Sequence, residues 1–178
     1  MRNTLLIAGF FILFSGCTKE EVKPETSAAN LPKLVINEFM SSNSFSYQDP
    51  ENEGEFDDWI EVYNAGDKEV NLAGLYISDN KNYKAKYKIP ASNPVKTTIP
   101  PGGYLILWAD SDLAQGELHV DFKLSAEGED LGIYTADGQV IDETTFGPQV
   151  NDVSFGRQAS GAGIWTTFSP GTPGMPNK

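Results

Sequence analysis

The chain of 178 residues has one cysteine, Cys17, and one histidine, His119. A single cysteine excludes a disulfide within the chain, and the two residues together fall short of the Cys and His set that zinc usually takes. Basic residues are also few. Thirteen Lys and Arg stand against 25 Asp and Glu, giving a formal net charge of -12 and a pI near 4.4. Such a surface repels phosphate backbones, which proteins bind by neutralising them, so no nucleic-acid partner is expected. Long apolar runs are missing as well: the longest, "LLIAGFFILF" from Leu5 to Phe14, is ten residues, too short to span ~30 Å of hydrocarbon at ~1.5 Å per residue. No helix-period stretch competes with the short β-like runs described below.

What is present begins with a targeting pattern. Arg2 followed by the apolar run reads as a secretory leader. "FSGC", Phe14 to Cys17, resembles the lipobox at which bacterial lipoproteins are cut and acylated on the cysteine sulfur, with Phe14 where leucine is usual. The resemblance implies a membrane partner through lipidated Cys17, each buried methylene contributing about 0.8 kcal/mol. "TKEE", Thr18 to Glu21, has no aspartate after the cysteine and looks like lipoproteins sent to the outer membrane; Lys19-Glu20-Glu21 is similar to a surface-export signal, or is a solvated linker. Thr18 to Pro32 is too polar to offset its ordering entropy by burial. The expected organisation is a signal peptide over 1–16, a lipidated flexible linker over 17–32 and one domain over 33–178.

The domain reads as all-β, with about eight or nine strands separated by turn signals. In "KLVINEF", alternation puts Leu34, Ile36 and Glu38 on one face. "DWIEVYN" alternates with Ile60 and Val62 inward. "NYKAKYKIP" predicts an edge strand protected by lysines. "IPPGGYLILWA" places Pro101 and Gly102 for a type II turn and then predicts a central strand, Tyr104 to Trp108, buried on both sides. "ELHVDFKL" and "GIWTTF" predict further strands, and "DLGIYTADGQVIDETTF" a hairpin around "ADGQ".

These motifs, taken with "NLAGLYISDN", "SFGR" and the closing "SPGTPGMPN", resemble the lamin tail domain, an immunoglobulin-like β-sandwich, over Leu34 to Asn177. The resemblance implies a binding or scaffolding module and no catalyst, with "TPGMPN" as the domain's end signature and no hydrolase domain attached. The expected function is that of a non-enzymatic, lipid-anchored envelope protein meeting an envelope protein or glycan. A calcium-dependent adhesion or glycan-binding module is the alternative, and a carboxylate-dependent hydrolase a distant third.

The chemistry of the chain concentrates in "DPENEGEFDDWIE", with seven carboxylates in thirteen residues. As an EF-hand it fails, because the twelfth position is Ile60 rather than a bidentate Glu. A looser calcium site remains open, since calcium accepts six to eight oxygens in flexible geometry. Glu38 and Asp58 are its best pair, both on the core-facing parity of their strands and both matching acids of the family motifs, with Asp57 to complete the shell. A solvated loop is the plainer reading, and no cofactor is then expected. No catalytic residue is assigned: His119 lacks a serine in a nucleophile elbow and reads as a buried, hydrogen-bonded histidine. Trp59, Tyr63 and Tyr76 are the candidate aromatic platform for a partner, weighed against plain packing.

Overall fold

The computed structural model describes residues 31–178. The expected leader, Cys17 and the expected linker up to residue 30 lie outside the described residues. Among the described residues, eleven strands form three antiparallel sheets. One has five strands: β1 (Leu34–Met40), β2 (Asp58–Asn64), β7 (Tyr104–Ala109), β10 (Ser154–Arg157) and β11 (Trp165–Phe168), ordered β11-β10-β1-β2-β7. Another has four: β4 (Tyr76–Ser78), β5 (Tyr87–Lys88), β8 (Asp130–Tyr134) and β9 (Val140–Thr145), ordered β5-β4-β8-β9. β3 (Val70–Asn71) and β6 (Thr98–Ile99) pair as a small third sheet. The chain is an immunoglobulin-like all-β sandwich. The count exceeds eight or nine because three of the strands, β3, β5 and β6, are only two residues long.

Alternating apolar residues build the core between the two larger sheets. Leu34, Ile36, Phe39, Ile60, Val62 and Leu107 point into it from one sheet, Ile77, Leu131 and Ile133 from the other. Phe39 is its aromatic centre, with the rings of Phe146, Phe155 and Trp165 at 4.4, 5.9 and 5.8 Å. The predicted hairpin is β8–β9, closed where Gly138 takes φ +83°, a region that glycine enters without steric cost. The predicted type II turn is also present: Gly103 N–H donates to Pro100 O at 2.9 Å and Gly102 has φ +69°.

Four local expectations are corrected. A β-bulge lies between Ile36 and Glu38, so Ile36 pairs with Val62 while Glu38 pairs with Glu61. The extra residue, Asn37, reverses the alternation after it and turns Glu38 out of the core face that parity had given it. "ELHVDFKL" forms no strand, only isolated bridges, Trp108 with His119 and Asp110 with Lys123. "NYKAKYKIP" is mostly turns, and only Tyr87–Lys88 pairs. Finally, Tyr104 to Trp108 belongs to an edge strand of the five-stranded sheet rather than a central one. Its apolar character on both faces comes from covers of different kinds: the core on one side, and Tyr47, Trp59 and Met40 near Trp108 on the other.

Candidate functional site

The outer face of the five-stranded sheet carries two buried polar centres. At the first, the bulge brings Glu38 and Glu61 side by side, both with no exposed surface. Two such carboxylates repel and are costly to bury unless hydrogen-bonded. Their donors come mainly from the C-terminal segment, which crosses over them. Thr172 donates to Glu38 from its N–H at 2.9 Å and its hydroxyl at 2.5 Å, and the Ser154 hydroxyl also donates to Glu38. Gly174 N–H and the Asn37 amide donate to Glu61 at 2.5 and 2.7 Å. Asn177 completes the network, accepting from Asn37 at 3.0 Å and donating to Arg157 O at 2.8 Å. Burial, and next to it the charge of Glu38, pushes Glu61 up to about 7 against the opposing pull of its donors. A Cβ on Gly156 would stand 2.9 Å from Asn37 O, Glu38 Cγ and Asn177 Nδ2, so the glycine of "SFGR" leaves the room these groups need. Separate motifs, "INE", "WIE", "SFGR" and "TPGMPN", thus meet in one structural network.

At the second centre the acidic loop folds back on the end of β7. His119 is 2% exposed, with Nδ1 2.6 Å from Asp110 Oδ2 and Nε2 3.7 Å from Asp49 Oδ2. Asp49 shapes the loop locally, accepting from Glu51 N–H at 2.8 Å and from the Asn52 amide at 2.7 Å. The histidine therefore holds the loop to the segment after β7. Beside it opens a cleft of about 180 Å³, walled by Tyr47, Asp49, Glu51, Lys96, Trp108 and His119. Its hydroxyl complement is the Tyr47 phenol alone, with no serine, threonine or cysteine on the wall. The Tyr47 ring stacks on Trp108 at 5.6 Å, and burial, followed by the charges of Glu61 and Asp49, raises its hydroxyl above the ordinary tyrosine range.

The expected site residues do not gather as the sequence suggested. Glu38 lies on the outer face with Glu61, whereas Asp58 keeps the parity of Ile60 and Val62 and points to the core side. Main-chain N–H groups of Asn43 and Leu124 bind Asp58, while burial pushes it up to about 6. Asp57 is raised by burial and then by Asp110 and Glu55, beside a concave acidic surface that also holds Lys123. Among the described residues, no group of three or more His, Cys, Asp or Glu is arranged to hold a metal ion. The aromatic platform also separates. Trp59 is fully buried with Met40 and Trp108, because a residue alternating with two core positions faces the covered outer side. Tyr63 is half-buried against Tyr104 at 4.9 Å, and Tyr76 sits on the other sheet under Lys88.

The sequence reading missed Asn37, Ser154, Thr172 and Asn177. Their signal was present, since polar residues in an otherwise apolar strand and a recurrent tail motif need buried partners, but their meeting depends on the bulge and on the tail's path. Asp49 and Asp110 were missed as partners of His119 because that contact is made by loops.

A family model described as the Lamin Tail Domain matches residues 27–148. No curated protein matches the chain.

Proposed function

The chain belongs to the lamin tail domain family, and from that premise we propose that it is a non-enzymatic envelope protein whose domain binds or scaffolds a partner, held at the membrane by acylated Cys17. A domain of this immunoglobulin-like family is generally a binding or scaffold module without catalysis. The observation that carries the reading is the state of the groups that could do chemistry. Glu38 and Glu61 lie under the C-terminal segment, and His119 is tied to Asp110 in a cleft whose walls offer it no serine, threonine or cysteine. Nucleophilic catalysis needs such a nucleophile within hydrogen-bond reach of its base. Recognition needs only shape and charge that suit a partner, and the cleft beside β7 offers a concave wall that carries Asp49, Glu51 and Glu117.

The leader pattern and Cys17 supply the anchoring half of the proposal, with the outer membrane as destination and the cell surface as the finer expectation. Cys17→Ser is expected to move the protein from the membrane pellet to the soluble fraction. Continued co-sedimentation of that variant would remove the lipid anchor from the reading. Crosslinking of the surface-held protein is expected to capture an envelope protein or glycan, and turnover on ester, phosphodiester or polysaccharide substrates that is lost with His119→Ala would overturn the non-enzymatic half.

A further inference from the structure

Resting on the binding-domain reading, we propose that the outer edge of β7 docks an extended, lysine- or arginine-bearing peptide segment of a partner protein, which adds to the sheet as a further strand. Soluble proteins normally blunt a sheet edge with charge, proline or a cover. β7 reads YLILWA, with neither lysine nor proline. Only half of it is covered: Trp108 N–H donates to Leu118 O at 2.7 Å and Trp108 O accepts from Val120 N–H at 2.8 Å.

The alternation of an antiparallel pair settles where the neighbouring groups point. Gly103 O accepts from Asn64 N–H on the β2 side, so residues 103, 105 and 107 face β2, while Tyr104, Ile106 and Trp108 turn their N–H and C=O outward. Before Leu118 the chain bends away, with His119 N–H donating to Gly116 O at 3.3 Å. Among the described residues, no backbone hydrogen bond reaches the outward groups of Tyr104 and Ile106. Those groups are spaced as an added strand requires.

The cleft opens where the cover stops. Leu105, Ile106 and Leu118 line it beside the Tyr47–Trp108 stack, offering an apolar seat for one side chain of the incoming strand. Charge selects the others. Asp49, Glu51 and Glu117 line the same cleft, and its one ammonium, Lys96, is held by Glu51 at 2.9 and 2.8 Å. Both partners are exposed, at 38% and 53% of their side chains, and an exposed ion pair is weakly held. A partner's ammonium can therefore replace Lys96 on Glu51 at little cost, and a chain of net charge -12 steers cationic segments toward it. A sugar could use the acids and aromatics, but would leave the aligned main-chain groups of Tyr104 and Ile106 unused.

The test uses the full chain in neutral detergent micelles and an alternating lysine–valine hexapeptide, read by calorimetry and amide hydrogen exchange. Binding with slowed exchange at Tyr104 and Ile106 is expected, and Glu51→Lys with Glu117→Lys should weaken it by roughly tenfold. Ile106→Pro, which removes the outward donor, should abolish it. Should that variant not fold, the same peptide N-methylated on its hydrogen-bonding edge should fail to bind the unaltered protein. The proposal is overturned by absence of binding, by equal binding of hexalysine or of the N-methylated peptide, or by protection elsewhere on the domain. A neutral oligosaccharide that protects this edge when the peptide does not would also overturn it, while leaving the broader binding-domain reading in place.

Discussion

Asn177 is 4% exposed and serves groups from three parts of the chain: it accepts from the Asn37 amide, donates to Arg157 O, and meets the Thr172 hydroxyl at 3.0 Å. Asn177→Ala leaves buried donors and acceptors without partners, which costs about 1–3 kcal/mol, and is expected to lower the urea midpoint without changing the slope of the transition. Glu61→Gln tests the same centre differently. Glu61 accepts at both oxygens, from Asn37 and Gly174; an amide can accept at only one but has no charge to bury. Above about pH 7 the two effects oppose and little net loss is expected there, together with a weaker dependence of stability on pH between about 4.5 and 7. Calcium supplies a third residue-scale prediction. Glu38 is already enclosed by Ser154 and Thr172, and Asp58 faces the other side of the sheet. Calorimetry with calcium should show no heat, and added ion should leave Tm unchanged, whereas a cation bound to the folded state would raise it.

At the scale of elements, the segment Thr172–Asn177 acts as a strap. It is not a strand, yet it brings three N–H and O–H donors to two carboxylates to which the sheet itself gives one donor each, Ser154 to Glu38 and Asn37 to Glu61. Removing residues 172–178 opens both acids to water and deletes these charge-assisted bonds. The expected loss is on the order of 3 kcal/mol, with the far-ultraviolet spectrum still that of a β protein and faster amide exchange in β1 and β10. An unchanged urea midpoint would show that water replaces the strap without loss. The strap also marks how far the sequence could be read. Turns with a local chemical cause were legible, namely Pro101–Gly102 and the hairpin at Gly138, and so was the alternation of β2. Parity along β1 failed at Asn37 because a bulge is decided by what lies across the sheet. β7 was taken for a central strand because full apolarity registers cover on both faces and is silent about hydrogen bonds at the edge.

For the molecule as a whole, acidity should stabilise rather than unfold over a wide window. Among the described residues, three carboxylates are pushed up furthest, mainly by burial: Asp58 to about 6, Glu61 to about 7 and Glu129 to about 7, from ordinary values of 3.8, 4.5 and 4.5. Each binds its proton more tightly in the folded chain than in the unfolded one, so stability falls as pH rises. The penalty is absent below the unfolded values near 4, grows as pH climbs toward 7, and is complete above it. For Glu61, with no exposed surface, it is on the order of 3 to 4 kcal/mol, at about 1.4 kcal/mol for each pH unit separating the folded and unfolded values. Surface acids set the lower limit. Asp130, held down by the Thr145 hydroxyl and Lys81, and Asp152, held down by the N–H groups of Phe45 and Ser44, contribute stability that is lost as pH falls through their folded values, below 3.8. Net charge acts in the same sense, because protonation near pH 5 relieves the self-repulsion of a chain at -12. Thermal unfolding should therefore give a maximum Tm between about pH 4 and 5, several degrees above that at pH 8. A Tm that rises steadily from pH 5 to 8 would mean that the buried acids are ionised at no cost, and that their hydrogen bonds outweigh their desolvation.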